Sequence, residues 1–373
     1  AVISSAESVF FNPAGLSYLD GKLNVSLGGS AVFSTSKFQS LIDNYVTETD
    51  SPVGTPFNVY ASYQINDWLT FGLGVYTPYG SRVEWPTDWA GSHLVNNIDL
   101  KAIFIQPTVA IKLNDYLSIG GGPVYVTGSV NFNRNLNTGS GSASTGGRSN
   151  VTIDQGGIDA WGYNIGVMLR PIEKLNIGFN YRSKIIMEAE GGDADFENIA
   201  ILPDGKFNAE LPLPAEVTIG LSYEFFDKWL FAFDYNFTQW SEYEALVVEF
   251  DNAAGTSVNL RNYKDASTYR FGLQYEAHKK FTLRAGVYFD ESPVQDGYFA
   301  PETPRNDSVG YTGGLSYHVN DKLSIDASFL FLHFKEIDNS YDWIDNGDGT
   351  YSSFGGTYKN VVFSPGLGIS YKL

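Results

Sequence analysis

The sequence predicts an all-β fold: a 14-stranded antiparallel transmembrane β-barrel with a small N-terminal plug (hatch) in its lumen. Apolar residues recur at every second position over long stretches, as in residues 218–224, and this period is typical of strands with one apolar face. Short polar turns alternate with long loops along the whole chain. Charged residues make up only 18% of the sequence and aromatic residues 15%, which is typical of a surface that meets lipid.

The composition also excludes several classes of protein. The 373 residues include no cysteine, so a disulfide framework, a thiolate metal site and thiol catalysis are all excluded. The net charge of −18 argues against nucleic acid as a partner. Helical membrane spans are not expected, because they need runs of about 18 or more apolar residues. We expect no catalytic residues, no metal and no cofactor, and we expect the barrel to be a monomer.

The first element is the hatch, predicted over residues 1–20, and residues 21–373 are predicted to form the barrel. Phe10 and Phe11 are too apolar for a tail that lies free in water. Pro13 and Gly15 favour a tight turn and oppose a continued helix or a central strand. Because an open barrel of this width would leak, we expect the segment to lie inside the lumen. A disordered tail with a turn motif is the alternative.

The barrel strands are separated by six short turns and seven long loops, which requires fourteen strands. Short turns at one end and long loops at the other are typical of outer-membrane barrels, whereas a propeller would show a repeated blade motif. The long loops are predicted at 36–56, 79–97, 133–156, 190–213, 252–261, 291–306 and 340–357. The strands are predicted at 22–35, 57–66, 68–78, 98–113, 116–132, 157–170, 174–189, 214–226, 229–250, 262–277, 280–290, 307–319, 322–338 and 358–373.

The two faces of these strands are assigned by the size of the barrel. A small soluble barrel would turn its apolar residues inward, but fourteen strands enclose more space than apolar side chains can fill. The polar face must therefore line the lumen and the apolar face must meet lipid. Arginine on the lipid face would cost about 2–4 kcal/mol at mid-membrane. Arg182, Arg270 and Arg284 all fall on the polar face of their strands, as this cost requires.

Several short motifs follow one another along the chain. They are Asn12-Pro13-Ala14 with Gly15-Leu16, Val75-Tyr76-Thr77-Pro78-Tyr79-Gly80, Trp85 and Trp89, Leu213-Pro214-Ala215-Glu216, Phe237-Thr238-Gln239-Trp240-Ser241, and Pro304-Arg305-Asn306-Asp307-Ser308. In these motifs and their order the chain resembles the FadL/TodX (OmpP1) family of outer-membrane transporters of long-chain fatty acids and other hydrophobic compounds. The resemblance implies that Asn12, Pro13 and Ala14 form the gating motif of the hatch. One departure is the polar loop 135–150, where family members carry an apolar loop that helps to collect ligand.

A fatty acid has an apolar tail and a carboxylate, so its site needs apolar walls and one cation. Leu330, Leu332 and Phe334 are candidates for the wall, because they continue a lumen face that is polar earlier in the strand. Packing against a loop or the hatch is the alternative explanation. The candidates for the carboxylate partner, which an arginine could bind bidentately, are Arg182, Lys184, Arg270 and Arg284. Pairing with Asp234 or Asp326 is the alternative for these cations.

The exit of a hydrophobic ligand is predicted to lie in the barrel wall. Burial in lipid favours such a ligand by about 0.8 kcal/mol per CH₂ group, and a bent strand can open the hydrogen-bonded ladder. The family resemblance implies an inward kink in the third strand, so we assign the opening to Gly72, Gly74 and Pro78. The fifth strand, with residues 120–123 reading Gly-Gly-Gly-Pro, is the competing location.

The leading hypothesis is passive uptake of hydrophobic small molecules through a plugged barrel in the outer membrane of a Gram-negative bacterium. The ligand would leave laterally into the outer-membrane lipid. A scaffold or shuttle protein of a secretion machine and a diffusion porin for small polar solutes are the alternatives. An enzyme is not expected, because only His333 and Asp338 approach the spacing of a catalytic pair. The segment 345–349 lacks the distal glutamate of a calcium loop, and a hairpin tip explains it.

Overall fold

The computed structural model describes residues 2–3, 5–136 and 148–373, and it shows a closed antiparallel barrel of fourteen strands. The barrel closes because its first strand pairs with its last, from Asn24 opposite Lys372 to Ser30 opposite Gly366. The strands are β1 (Leu23–Ser30 and Phe33–Ser40), β2 (Phe57–Asn66), β3 (Leu69–Glu84), β4 (Asn97–Lys112), β5 (Leu117–Asn135), β6 (Asn150–Ile172), β7 (Leu175–Arg182 and Ile185–Glu197), β8 (Gly205–Leu213 and Glu216–Phe225), β9 (Trp229–Thr238 and Ala245–Phe250), β10 (Thr256–Leu260 and Ala266–His278), β11 (Phe281–Asp290), β12 (Ser308–His318), β13 (Leu323–Phe334 and Ile337–Asp345) and β14 (Tyr351–Lys372). A short strand, Val46–Glu48, adds to the outer end of β1.

The predicted strand number is confirmed, but several strands extend further outward than predicted. β3 continues to Glu84, into a predicted loop, and the predicted loop 190–213 is largely the outer hairpin of β7 and β8. Pairing between the strands satisfies the backbone N–H and C=O groups of these outer segments. Most of the predicted polar loop 135–150 lies outside the described residues. No helix in the described part of the chain is long and apolar enough to cross a membrane.

The predicted orientation of the two strand faces is confirmed. On β14, Leu367 on the outer face is 71% exposed, whereas Ser364 on the inner face is buried. On β7, Asn176 and Asn180 are buried on the inner face, and Phe179 is exposed between them. In a barrel whose outer face meets hydrocarbon, these exposed aromatic and aliphatic side chains form the lipid-facing belt.

The inner wall changes from polar to apolar where strands β7 to β10 are each interrupted. The interruptions lie at 183–184, 214–215, 239–244 and 261–265. On β7 the interruption reverses the alternation, so Arg182 and Ile185, which is 2% exposed, both lie on the inner side. Beyond it the inner wall carries Met187 and Phe207 among other apolar side chains. The barrel thus has a polar lower lumen and an apolar upper lumen.

The N-terminal segment lies against the inner face of strands β3 to β6. It contains a one-turn α-helix, α1 (Ser8–Phe11), and a 3₁₀ helix (Pro13–Tyr18). Asn12 ends the first helix and caps the second, and Pro13 occupies the first position of the second, where its missing N–H costs nothing. The predicted tight turn at Pro13 is therefore a change of helix direction inside the barrel. The domain boundary at residue 20 stays a prediction.

Candidate functional site

The hatch rests on a seat of glycines in the barrel wall. A Cβ atom at Gly120 would lie 2.6 Å from the carbonyl carbon of Pro13, and one at Gly166 would lie 2.1 Å from Oδ1 of Asn12. Both distances are shorter than real Cβ contacts, so glycine alone lets the hatch approach this closely. The glycines of β5, which competed in the sequence for the wall opening, include one of the seat positions.

Asn12 ties the hatch to two strands at once. Its Nδ2 donates to the backbone carbonyls of Val167 at 3.0 Å and Phe179 at 3.2 Å. Its Oδ1 accepts from the backbone N–H of Ala14 at 3.1 Å, which starts the 3₁₀ helix. The three motif residues Asn12, Pro13 and Ala14 therefore act as one connected turn in contact with the wall. Whether this turn gates transport is a separate question of function.

Polar side chains of the wall hold the backbone carbonyls of the hatch. Gln106 Nε2 donates to Val9 O at 2.7 Å, and Ser118 Oγ donates to Ala14 O at 2.9 Å. Asn164 lies 3.4 Å from the carbonyl of Val9. Sequence reasoning missed Gln106, Ser118 and Asn164, because polar residues on a lumen face are expected in any wide barrel. Their complete burial is the structural sign of their role.

A cavity of about 1120 Å³ lies above the hatch, slightly larger than the usual range of small-molecule pockets. Phe10 of the hatch and Arg182 lie in its floor. Its apolar wall comes from strands β4 to β9. The wall residues include Ile98, Val130, Phe132, Val151, Ile153, Ile158, Met187, Phe207, Leu213, Leu246 and Val248. A second cavity of about 260 Å³ lies on the far side of the hatch, and its polar lining contains Arg182, Glu216 and Arg270.

The structure brings some of the predicted ligand residues together and separates others. Arg182 and Arg270 line both cavities, and Phe334 lines the upper one. Leu330 and Leu332 share the inner face of β13 with Phe334, but they are not part of the cavity wall. Of the three predicted wall residues, the structure therefore places Phe334 at the cavity, and Leu330 and Leu332 lie further down the same face of β13.

Two of the four predicted carboxylate partners are also misplaced. Lys184 lies in the interruption of β7, where the alternation reverses, and it forms a 2.7 Å ion pair with Glu242 instead of facing the lumen. Arg284 faces the lumen but lies outside both cavities. It donates to Gln274 at 2.8 Å and to Ser316 at 2.5 Å.

Arg182 is the most constrained cation of the cavity floor, with 4% exposure. Its guanidinium lies 4.2 Å from the ring centroid of Phe10, and one nitrogen donates to the carbonyl of that residue at 3.2 Å. A second nitrogen lies 3.4 Å from Oε2 of Glu216. The other carboxylate oxygen of Glu216 accepts a 2.5 Å hydrogen bond from the hydroxyl of Tyr79. Three wall strands and the hatch meet at this one group.

The ladder between β2 and β3 ends at Asn58 and Tyr76, and a bulge in β3 opposite β4 contains Thr77 and Pro78. The segments 52–57 and 77–82 above this point both line the upper cavity. The two segments meet again further out, where the backbone N–H of Asp50 donates to the backbone carbonyl of Glu84 at 2.9 Å. The wall therefore has an interval without ladder pairing beside the cavity, as the kink at Pro78 would produce.

Gly72 and Gly74, to which the sequence assigned this opening, lie away from the interval. Both glycines are paired with β2 and with β4, so the ladder is intact around them. A Cβ at Gly72 would lie 2.8 Å from side-chain atoms of Leu16 and Val9. These glycines make room for the hatch, whereas the interval begins beyond Tyr76.

The outer mouth is covered by two of the long loops. Trp85 and Trp89 stack with their ring centroids 4.3 Å apart, and Trp85 Nε1 donates to Pro301 O at 3.1 Å. Glu302 pairs with the buried Arg261 on the wall. Burial raises the pKa of the neighbouring Tyr243 to about 12, so this tyrosine stays a neutral hydrogen-bonding group. The tryptophans that resembled a family motif are thus part of a packed lid.

The arrangement offers binding and passage but no reaction chemistry among the described residues. His333 is exposed on the lipid-facing side of β13, so it faces away from the lumen. No group of three or more histidine, aspartate and glutamate residues in the described ranges is placed to hold a metal ion. An apolar cavity above a seated hatch, beside an interval in the wall, is the arrangement of an outer-membrane transport barrel.

Comparison with known proteins identifies the family within this class. The family model described as outer membrane protein transport protein (OMPP1/FadL/TodX) matches residues 1–372, and the chain belongs to this family. Outer membrane protein P1 of Haemophilus influenzae is 23% identical, over 90% of this chain and 80% of the relative. The long-chain fatty acid transport protein of Escherichia coli (strain K12) is 23% identical, over 87% and 78%. A solved FadL homologue from Pseudomonas aeruginosa is 19% identical with a TM-score of 0.85, over 98% and 94%.

The family membership confirms the predicted location and class of the protein. It is an outer-membrane transport protein and not an enzyme. The likeness of the solved structure confirms the barrel fold.

Proposed function

We propose that the protein takes up hydrophobic small molecules, long-chain fatty acids or similar compounds, by passive diffusion with lateral release into the outer membrane. The observation that carries this proposal is the shared lining of one cavity. Apolar side chains of the upper lumen border a space of about 1120 Å³ together with the wall segments 52–57 and 77–82, which have no ladder pairing with each other. A ligand in this cavity is therefore adjacent both to an apolar wall and to a route into the bilayer.

The energetics favour sideways rather than downward release. An apolar tail gains about 0.8 kcal/mol per CH₂ group on moving from water into hydrocarbon, so a hydrated lower lumen offers it no gain. The hatch also obstructs the downward path along β3 to β6, where buried Gln106, Ser118 and Asn164 hold it. Release through the wall needs no external energy source, because partitioning into lipid supplies the driving force.

The polar end of a fatty acid would find cations at the floor of the cavity. Arg182 and Arg270 are the two predicted cations that line it, and an arginine can bind a carboxylate through two parallel hydrogen bonds. A relative is named for long-chain fatty acid transport, which agrees with this chemistry. We propose that the barrel works as a monomer, since a single chain supplies the cavity, the hatch and the wall interval.

The lateral route can be tested by filling the wall interval. Ser81 lines the cavity in the part of β3 that pairs with β4 but not with β2, and Ser81→Trp should place an indole in the interval and lower dodecanoate uptake about tenfold or more. Uptake would be measured with radiolabelled dodecanoate in cells whose outer membrane holds no other transporter of this kind. Thr127→Trp is the matched control, because Thr127 on β5 lies next to the inward-facing Val126 and points to the outer face.

Full dodecanoate uptake by Ser81→Trp would contradict lateral release through this interval. Protein that conducts small ions freely but takes up no hydrophobic compound would instead support the porin alternative. Co-purification with protein partners and no uptake of any lipid would favour a scaffold.

A further inference from the structure

One chain of contacts crosses the lumen at the cavity floor. It runs from the hatch carbonyl of Phe10 through Arg182 to Glu216, and from Glu216 to Tyr79, with contacts of 3.2, 3.4 and 2.5 Å. Tyr79 belongs to β3, directly after Pro78 and the bulge that begins the wall interval. Glu216 belongs to β8, on the opposite side of the cavity floor. Glu216 thus links the cation of the floor to the strand that borders the opening.

The contact between Arg182 and Glu216 is incomplete. At 3.4 Å it is longer than the usual 2.7–2.9 Å of a charge-assisted hydrogen bond. Nε of Arg182 is buried and has no hydrogen-bond partner among the described atoms. A buried donor without a partner is costly, so a ligand carboxylate that reaches Nε would replace the long contact with Glu216. Both Arg182 and Glu216 border the upper cavity, where such a carboxylate would arrive.

We propose that Glu216 is an internal stand-in for the ligand's carboxylate, and that its displacement from Arg182 makes the barrel select carboxylate ligands over neutral ones of the same length. The inference rests on the proposed function. The exchange replaces one carboxylate by another at Arg182, so it conserves charge at the buried guanidinium. Glu216 then turns into the lower cavity, which Arg270 also lines.

The exchange has a consequence at the wall. Tyr79 loses its charged acceptor when Glu216 turns away, and its ring is no longer held across the floor beside Pro78. A neutral ligand does not compete for Arg182, so it leaves Tyr79 bound to Glu216. Glu216 and Tyr79 are positioning residues in this scheme: neither has to touch the ligand to decide which ligand passes.

Two substitutions test the proposal, with dodecanoate and dodecanol as ligands of equal chain length. Glu216→Gln removes the competing charge, so dodecanoate should bind about tenfold more tightly, as expected when one charged competitor is lost. The ratio of dodecanoate uptake to dodecanol uptake should fall severalfold. Dodecanol cannot break the contact between Tyr79 and a charged Glu216, and in this variant that charged contact is gone. Tyr79→Phe should lower the same uptake ratio and leave the Kd of dodecanoate within about twofold. Binding is measured with purified protein in lipid nanodiscs.

The chain offers a matched control for both changes. Tyr125 donates a 2.6 Å hydrogen bond to Asp159 on the outer surface of β5 and β6, so Tyr125→Phe and Asp159→Asn remove the same kind of contact away from the lumen. Both should keep the wild-type ratio and Kd. Glu216→Asp keeps the charge on a shorter side chain and should give an intermediate ratio, which tests the idea if Glu216→Gln assembles poorly.

A Glu216→Gln barrel with the wild-type uptake ratio and the wild-type Kd for dodecanoate would overturn the inference. Because this barrel would still take up dodecanoate, the proposed function would remain intact. Wild-type protein that takes up neither ligand would instead overturn the proposed function. Equal losses for both ligands in Tyr79→Phe would show that Tyr79 only supports the fold, which contradicts its role in selection.

Discussion

The two sides of the lumen are built differently. The side formed by β3 to β6 holds the hatch through glycines and buried polar groups such as Gln106 and Asn164. On the opposite side, Arg284 and Asp326 keep side-chain exposures of 43% and 32%, and their separation is 3.8 Å. On the hatch side the contacts are specific, because a buried polar group that loses its partner is costly. On the opposite side the exposed groups can replace a lost partner by water. We therefore expect the hatch side to control permeability and the opposite side to tolerate change.

The largest expected effect comes from one added side chain on the hatch side. Gly166→Val would place a Cβ 2.1 Å from Oδ1 of Asn12, so the hatch must leave its seat. We expect a severalfold rise in ion conductance across a planar lipid bilayer, with the barrel still folded by its heat-modifiable mobility on gels. The matched control is Gly314→Val on the opposite side, where the nearest atom to a new Cβ would be Cβ of Arg284 at 3.5 Å.

Wild-type conductance from Gly166→Val would mean that the hatch accommodates the side chain without moving, and the comparison between the two sides would lose its steric basis. A conductance rise in Gly314→Val as large as in Gly166→Val would also contradict a steric difference between the two sides.

A smaller effect is expected when the hatch keeps its space but loses its tie. Asn12→Ala removes two hydrogen bonds to wall carbonyls and the cap of the 3₁₀ helix, which should weaken hatch docking by about 2–4 kcal/mol. The backbone amides of the hatch should then exchange with deuterium faster by about one and a half to three orders of magnitude. Asn12→Asp keeps the acceptor for the Ala14 N–H but loses the donors. The deuterium exchange of its hatch amides should therefore be faster than in the wild type and slower than in Asn12→Ala. Unchanged exchange in Asn12→Ala would show that the glycine seat alone holds the hatch.

The sequence predicted the barrel better than the contacts inside it. The count of short turns and long loops gave the number of strands, and the alternation along β7 gave the inward position of Arg182, because that position follows from a period of two. It failed at Lys184, where an interruption reverses the alternation without a clear compositional signal. It also assigned the opening to Gly72, although the glycine serves the hatch, because one sequence cannot show which neighbour a missing side chain makes room for.

The contacts that join distant strands were the least predictable part of the site. Tyr79 and Glu216 are separated by 137 residues, and each belongs to a motif that suggested family resemblance without suggesting its partner. Their contact depends on the tilt and stagger of fourteen strands, which no local pattern encodes. The same holds for Gln106 and the carbonyl of Val9, which are 97 residues apart.

The smallest loss of stability and uptake is expected on the side opposite the hatch. Arg284→Gln removes a partly exposed ion pair with Asp326 but keeps a side chain that can still hydrogen-bond to Ser316. Exposed pairs contribute about 0–1 kcal/mol, so the midpoint of urea unfolding should shift slightly, and dodecanoate uptake should stay within about twofold of wild type. Arg182→Gln removes a buried cation and leaves the partly exposed Glu216 without its partner, and it should reduce stability by about 3 kcal/mol. Equal shifts for the two arginines would show that burial against the hatch does not make Arg182 more important for stability than the exposed Arg284.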